Sequence, residues 1–171
     1  TALKGLALSA ASVAATSRLA AAERDATAKT GLGLVIYDCT IRRKWMQQQD
    51  AAFDLFKPLT FLRHCRALGA GGMQANLGVM PSDEVRRLRE YAEQHGLFID
   101  AIIKPPKSES DTPRFEAEVK SAAEVGVQAA RTVIMSGRRY EQFKSLDEFR
   151  AAETQGRRML ELAAPIVTRH R

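Results

Sequence analysis

Hydrogen-bonding side chains stand in or directly after four short apolar runs, a position from which they could bind a polyhydroxylated or phosphorylated molecule. The residues that share this position are Tyr37, Gln74, Asn76, Asp100, Lys104, Arg131, Ser136, Arg138 and Arg139. Their hydroxyl, amide and cationic groups suit a polyol or a sugar phosphate, because ionised donors make the stronger hydrogen bonds to phosphate. The alternative is that Gln74 and Asp100 are hydrogen-bonded interior residues and that the two adjacent arginines are solvated.

The carboxylates and histidines do not define a metal site by their spacing. Asp38, Asp100 and Glu141 stand near strand ends, one on each strand, which is too sparse a pattern for a metal site or an acid/base pair. The three histidines fall in predicted helices, which is typical of surface or helix-end residues. They are His64, His95 and His170.

The two cysteines are predicted to be free thiols. Cys39 and Cys65 lie far apart in the sequence, with neither a C-x-x-C motif nor a histidine at zinc-site spacing. Cys39 is expected near a strand end and Cys65 on a helix. Neither a structural zinc site nor a redox motif is indicated.

Composition and charge indicate one ordinary globular domain and argue against a nucleic-acid partner. The 171 residues are 45% hydrophobic and carry a net charge of +6, values that exclude a disordered or disulfide-stapled chain. Most basic residues stand beside acidic ones, as on solvated helix faces. The densest basic cluster, Arg42-Arg43-Lys44 before Trp45, is predicted to be a loop.

Residues 1–28 differ in composition from the rest and are predicted to be an export signal and linker. Lys4 is followed by a weakly apolar stretch of alanine, leucine and serine, similar to the later part of a twin-arginine signal. The stretch is too short and too polar for a membrane span. We therefore expect an exported or periplasmic protein with a disordered or loosely helical N-terminus, the alternative being a cytoplasmic protein with an additional Ala-rich helix.

From residue 29 onward, short apolar runs alternate with amphipathic stretches. The predicted strands are 32–37, 72–77, 97–103 and 129–135, and the predicted helices begin near Pro58, Pro81, Phe115 and Ser145. Ser145 and Glu148 form a capping-box pattern at the last helix, whose buried side is predicted to include Leu146. This alternation is the signature of successive right-handed βαβ units and a parallel sheet.

Glycine placement and polar residues within the strands favour a (β/α) barrel over a doubly wound sheet. Gly31 and Gly33 lie at the start of the first strand and not after it, so no Gly-rich dinucleotide-binding turn leads from that strand into a helix. Gln74, Asp100 and Arg131 fall mid-strand, and a barrel interior tolerates such residues below its mouth. We expect Asp100 and Arg131 to face the same side and to form an ion pair across neighbouring strands.

Several segments resemble the sugar phosphate isomerase/epimerase family, the xylose-isomerase-like TIM barrels. They are LGLVIYDCTIR, PLTFLRHCRALGAGGMQANLG, VRRLREYAEQHGLFIDAII and RFEAEVKSAAEVGVQAARTVIMSGRRYEQF. The resemblance covers about residues 31–171, and SGRRYE preceded by RTVIM is its most specific part. It implies an α/β fold of TIM type, of which residues 29–171 would be the first four βα units, a half-barrel.

The resemblance also implies an activity and a cofactor. Members of the family bind a divalent metal (Mn, Mg, Co or Zn) through Glu, Asp, His and Glu from later strands, and none of these ligands can be assigned to a residue here. The implied reaction is proton abstraction next to a carbonyl, with the metal stabilising the enediolate. The polar residues of this chain would then position a sugar or sugar-phosphate substrate, and the chain alone would be inactive.

Two other interpretations remain open at this point. The chain could be a non-catalytic binding or assembly module, in which a half-barrel pairs with itself or with another chain to cover its open edges, and a homo-oligomer is therefore possible. It could also belong to a different aldolase-like or phosphate-binding barrel.

Overall fold

The computed structural model describes residues 31–135 and 137–170, which form an α/β unit around one parallel sheet. The strands are β1 (Gly33–Val35), β2 (Gly72–Ala75), β3 (Phe98–Ile102) and β4 (Ala130–Arg131). The α-helices are α1 (Thr40–Gln49), α2 (Pro58–Ala67), α3 (Ser82–His95), α4 (Thr112–Val125), α5 (Arg139–Gln142) and α6 (Leu146–Arg169). Short 3₁₀ turns cover Ile36–Cys39 and Glu109–Asp111.

The strands lie in the sheet in the order in which they occur in the chain. Each strand pairs in parallel with the next, so the order is β1-β2-β3-β4. Helices α2, α3, α4 and α6 also contact one another in chain order. The predicted parallel α/β sheet is confirmed, and each new strand is added to the sheet on the same side as the one before it.

The two faces of the sheet differ in how well they are covered. Leu34, Met73 and Ile99 lie in one row, and this face packs against the helices, with Met73 and Ile99 buried beside Phe61 and Leu88. Side chains alternate between the two faces along a strand. The opposite face, called here the open face, consists of Gly33, Val35, Gly72, Gln74, Phe98, Asp100, Ile102 and Arg131, all except Gly72 half-buried or exposed.

Several helix boundaries follow the sequence signals. Pro58 begins α2, and Gly96 and Gly126 end α3 and α4 in the left-handed conformation, with φ of 56° and 91°, which glycine adopts without steric cost. The Ser145 hydroxyl accepts a hydrogen bond from the Glu148 amide at 3.2 Å. The predicted N-cap of α6 is therefore confirmed.

The basic cluster predicted to be a loop is helical, so that prediction is wrong. It lies in α1, where the Arg43 guanidinium donates to both carboxylate oxygens of Asp54 at 2.9 and 3.3 Å. The same guanidinium lies 4.5 Å from the centre of the Phe56 ring. Arg43 thus links α1 to the segment before α2. The local sequence around Arg43 does not indicate these contacts.

The fourth strand is shorter than predicted, and one residue of the last helix is misplaced. The sequence predicts a strand over residues 129–135, but the ladder covers only Ala130 and Arg131. In the described part of the chain β4 pairs only with β3. Backbone hydrogen bonds on one side alone therefore keep this edge strand extended. Leu146, expected on the buried side of α6, is exposed, and the first fully buried residue of this helix is Gly156.

Two predictions concern residues outside the described ranges. The export segment 1–28 and the site residue Ser136 both lie there. Within residues 31–135 and 137–170, no helix is both long enough and apolar enough to cross a membrane.

Candidate functional site

The carboxyl ends of parallel strands meet at one edge of a sheet, and two of the predicted site residues contact each other there. Tyr37 lies in the 3₁₀ turn after β1, and Asn76 follows β2 directly. The Asn76 side-chain amide donates a hydrogen bond to the Tyr37 hydroxyl oxygen at 2.5 Å. The Thr40 hydroxyl donates to the Tyr37 carbonyl at 2.7 Å, which anchors the turn that presents the phenol.

Gln74 and Asp100 lie side by side on the open face. They are register partners on β2 and β3, in the same row as Val35 of β1, and both side chains are half-buried. Burial raises the pKa of the Asp100 carboxyl above its ordinary value, because a partly desolvated carboxylate is less stable than its neutral acid. Among the described residues neither side chain has a hydrogen-bonding partner, so both are available to a ligand.

The expected ion pair between Asp100 and Arg131 is wrong. Arg131 is the register partner of Ile102, two residues beyond Asp100 on β3. The two side chains do project from the same face, but about 6 to 7 Å apart along the strand direction. Arg131 is exposed and does not contribute to the pKa shift of Asp100. The expected pair sets Arg131 opposite Asp100, whereas the ladder sets it opposite Ile102, a difference of two residues.

Lys104 follows β3, in a connection held by an arginine that the sequence analysis missed. The Arg114 guanidinium donates to the carbonyl oxygens of Lys104 and Pro105 at 3.2 and 3.4 Å. It also binds the carboxylates of Asp111 at 2.8 and 2.9 Å and of Glu118 at 3.0 Å. Hydrogen bonding to Arg114 holds the pKa of Asp111 well below its usual range. The i, i+3 and i+4 charge spacing around Arg114 was the signal available in the sequence.

The exposed Lys104 side chain therefore extends from a braced loop at the carboxyl edge. Its ammonium group is solvent-accessible. Because Arg114 fixes the backbone of this loop, a ligand that binds Lys104 would need to order only one flexible side chain.

The two arginines after β4 are exposed and already have partners nearby in sequence. Arg138 donates to the Tyr140 hydroxyl at 3.0 Å and to the Glu141 carboxylate at 3.4 Å. The Arg139 guanidinium lies 4.9 Å from the centre of the Phe149 ring. No hydrogen bond among the described residues joins either arginine to the Tyr37–Asn76 pair, so their role in binding a substrate stays a prediction.

The histidines and cysteines lie where the sequence placed them. His64 is in α2, His95 ends α3 and His170 follows α6, and His170 contacts the Glu116 carboxylate at 3.0 Å. Both thiols are free, and burial raises the pKa of Cys65 to about 12. Within the described ranges no three His, Cys, Asp or Glu residues are grouped closely enough to hold a metal ion.

The arrangement suits the binding and orientation of a molecule with several hydroxyl groups. Tyr37 and Asn76 offer a phenol and an amide at the edge of the sheet, and Gln74 and Asp100 offer an amide and a carboxylate on the open face. Carboxylates accept hydrogen bonds from hydroxyls, and amides both donate and accept them. Lys104 adds a cation that could bind a phosphate group.

Comparison with known proteins does not assign the chain to a family. No protein-family model, no curated protein and no solved structure matches it.

Proposed function

We propose that this chain forms the first four βα units of a xylose-isomerase-like TIM barrel, and that the complete barrel is a sugar or sugar-phosphate isomerase or epimerase. The resemblance over residues 31–171 supports this, as does the order of the parallel strands, which never reverses. A single layer of consecutively packed helices on one face of the sheet is the arrangement that a barrel requires.

In this proposal the chain positions the substrate. The supporting observation is the hydrogen bond between Asn76 and Tyr37, which joins the ends of two neighbouring strands. Because the Tyr37 oxygen accepts from Asn76, its own hydroxyl proton is free to be donated to a substrate oxygen. Asp100 and Gln74 would bind further hydroxyls on the open face, and Lys104 would bind a phosphate.

The metal that the resemblance implies would supply electrophilic stabilisation of the enediolate next to the reacting carbonyl. The described residues include no cluster of ligands that fits such an ion. In the proposal its ligands belong to later strands of the barrel, and no step of this chain's residues is derived through it.

Titration with a ketose and its phosphate tests the proposal. Trp45 is the single tryptophan and lies in α1, which follows the Tyr37 turn, so its fluorescence reports on this edge of the sheet. We expect D-fructose 6-phosphate, and more weakly D-fructose, to change the fluorescence saturably. Asn76→Ala should weaken binding about fivefold to tenfold, the equivalent of one lost hydrogen bond of about 1 kcal/mol.

Gln94→Ala is the matched control, since Gln94 is an exposed amide on α3. It should bind with the affinity of the parent chain. An absence of saturable binding by either sugar, or equal affinities for the Asn76 and Gln94 variants, would contradict the proposal.

A further inference from the structure

The connection between β3 and α4 carries two exposed lysines on either side of two buried prolines. Lys104 and Lys107 are exposed, whereas Pro105 and Pro106 between them are buried. Proline fixes φ at about −65°, and a residue that precedes a proline favours a β or polyproline II backbone. A polyproline II backbone repeats every three residues, with a rise of about 3.1 Å per residue. The Lys-Pro-Pro-Lys sequence therefore favours both lysines on one side of the connection, with their Cα atoms about 9 Å apart.

The backbone of both lysines is held by hydrogen bonds to three side chains. The Lys104 carbonyl accepts from the Arg114 guanidinium at 3.2 Å, and the Lys107 amide donates to the Asp111 carboxylate at 3.0 Å. The side-chain amide of Gln155, in α6, donates to the Lys107 carbonyl at 3.4 Å. The spacing of the two lysines is thus set before any ligand binds, which reduces the conformational entropy that is lost on binding.

The charges around this connection leave its two ammonium groups available to an anion. Among the described residues, neither the Lys104 nor the Lys107 ammonium group forms a hydrogen bond or a close ion pair. The Asp111 carboxylate is bound by the Arg114 guanidinium at 2.8 and 2.9 Å, so its charge is already offset. The other carboxylate of the connection, Glu109, is exposed.

We propose that the β3–α4 connection is a phosphate-binding site, in which the ammonium groups of Lys104 and Lys107 bind one phosphate monoester and Arg114 is a positioning residue that holds their backbone. Lysine binds phosphate as a point charge on a flexible four-carbon side chain. Two lysines about 9 Å apart can therefore meet on one phosphate group. Lys104 follows β3 at the same carboxyl edge as Asn76. The proposal rests on the proposed function for the sugar part of the ligand, and it narrows the substrate class to phosphorylated sugars.

An NMR titration of the ¹⁵N-labelled full chain with inorganic phosphate tests the site, with chloride used to keep the ionic strength constant. We expect saturable shifts of the Lys107 and Ser108 amides. Lys104→Ala and Lys107→Ala should each weaken phosphate binding about fivefold to tenfold, the effect of losing one charge-assisted hydrogen bond. Lys120→Ala is the matched control: Lys120 is exposed on α4, outside the connection, and its variant should bind phosphate with the affinity of the parent chain.

Further variants test the positioning role of Arg114 and the charge balance of the site. In an Arg114→Ala background, Lys104→Ala and Lys107→Ala should each have a smaller effect on phosphate affinity, because the spacing of the lysines is no longer fixed. If Arg114 contributes only to stability, the two lysine effects will be the same in both backgrounds. Asp111→Ala, which removes the partner of the Lys107 amide, gives the same test if circular dichroism shows that Arg114→Ala does not fold. Glu109→Gln should bind phosphate more tightly than the parent, because one repelling charge is removed.

Phosphate shifts that do not saturate, or equal phosphate affinities for the Lys107 and Lys120 variants, would overturn the proposal. Sugar titrations of the same samples keep the two proposals separate. D-fructose 6-phosphate should bind more tightly than D-fructose, and Lys107→Ala should remove most of that difference. Equal affinities of the parent chain for the two sugars contradict the phosphate site alone. Saturable phosphate binding without binding of either sugar contradicts the proposed function alone.

Discussion

The ring of Phe98 lies across two glycines on the open face, and replacing either glycine tests the register of β1, β2 and β3. Gly33 and Gly72 are register neighbours, and Gly72 pairs with Phe98. A methyl group at Gly33 would lie 2.6 and 2.9 Å from ring carbons of Phe98 and 3.1 Å from the backbone carbonyl carbon of Gly72. At Gly72 it would overlap the Phe98 carbonyl oxygen and lie 2.6 Å from the ring Cδ1.

The two substitutions should differ in cost because the atoms they meet differ in mobility. Phe98 is 40% exposed, so its ring can swing away from a methyl at Gly33. The carbonyl met at Gly72 belongs to the backbone of β3 and can move only if the two strands separate. Overpacking of this kind costs about 1–3 kcal/mol, and alanine restores about 0.5–1 kcal/mol by restricting the unfolded chain.

We therefore expect Gly72→Ala to lower the free energy of unfolding by about 2 kcal/mol, and Gly33→Ala to change it by less than about 0.5 kcal/mol. Gly31→Ala is the control, since a methyl there meets no atom within 4 Å. The assay is urea unfolding followed by circular dichroism, with midpoint and slope compared.

Removing the ring separates its contribution from that of the backbone. In a Phe98→Ala background most of the remaining cost of Gly33→Ala should disappear, since only the 3.1 Å contact with the Gly72 backbone is left. Gly72→Ala should keep a larger part of its cost because the Phe98 carbonyl remains. If Gly72→Ala is as stable as Gly31→Ala, Phe98 does not lie over Gly72 and the register of β2 and β3 is wrong.

Three further outcomes are expected. Burial raises the folded-state pKa of Asp100 above its ordinary 3.8, so the free energy of unfolding falls as pH rises from 3.8 through the folded value. Asp100→Asn should therefore be more stable than the parent in urea at about pH 7, and it should bind sugar more weakly. Equal stability of the two proteins would contradict this. Hydrogen bonds from His170 and Arg169 lower the pKa of Glu116 below 4.5. The stability that these bonds provide is therefore present above pH 4.5 and is lost as pH falls through the folded value. Glu116→Gln should lose this pH dependence when thermal melts at about pH 3 and about pH 7 are compared. The chain alone should catalyse no metal-dependent epimerisation, because the resemblance assigns the metal ligands to later strands; proton exchange into a ketose that a chelator abolishes would show otherwise.

Helices with explicit end signals could be predicted from sequence, whereas contacts between distant segments could not. Pro58, Gly96, Gly126 and Ser145 mark boundaries through local backbone chemistry, which depends on a few neighbouring residues. α1 has no such signal: it is positioned by the pairing of Arg43 with Asp54, 11 residues away. An isolated run of cations gives no indication of that partner.

The candidate site was predictable as a set of positions but not as a set of contacts. Tyr37 and Asn76 were both placed at strand ends, and the structure joins them. The pairing of Asp100 with Arg131 failed because strand register depends on where each ladder begins, and a shift of two residues keeps the face but separates the side chains. Arg114 was missed because its main role is to bind backbone carbonyls of the β3–α4 connection.

An NMR titration tests most directly whether a sugar binds where the strands end. Amide shifts of the ¹⁵N-labelled chain would be followed as D-fructose 6-phosphate is added. We expect saturable shifts at the carboxyl edge, in Ile36–Cys39, Asn76 and Lys104. Gly72 and Phe98, on the amino edge, should change little. Shifts centred on the amino edge, or spread evenly over the chain, would contradict it.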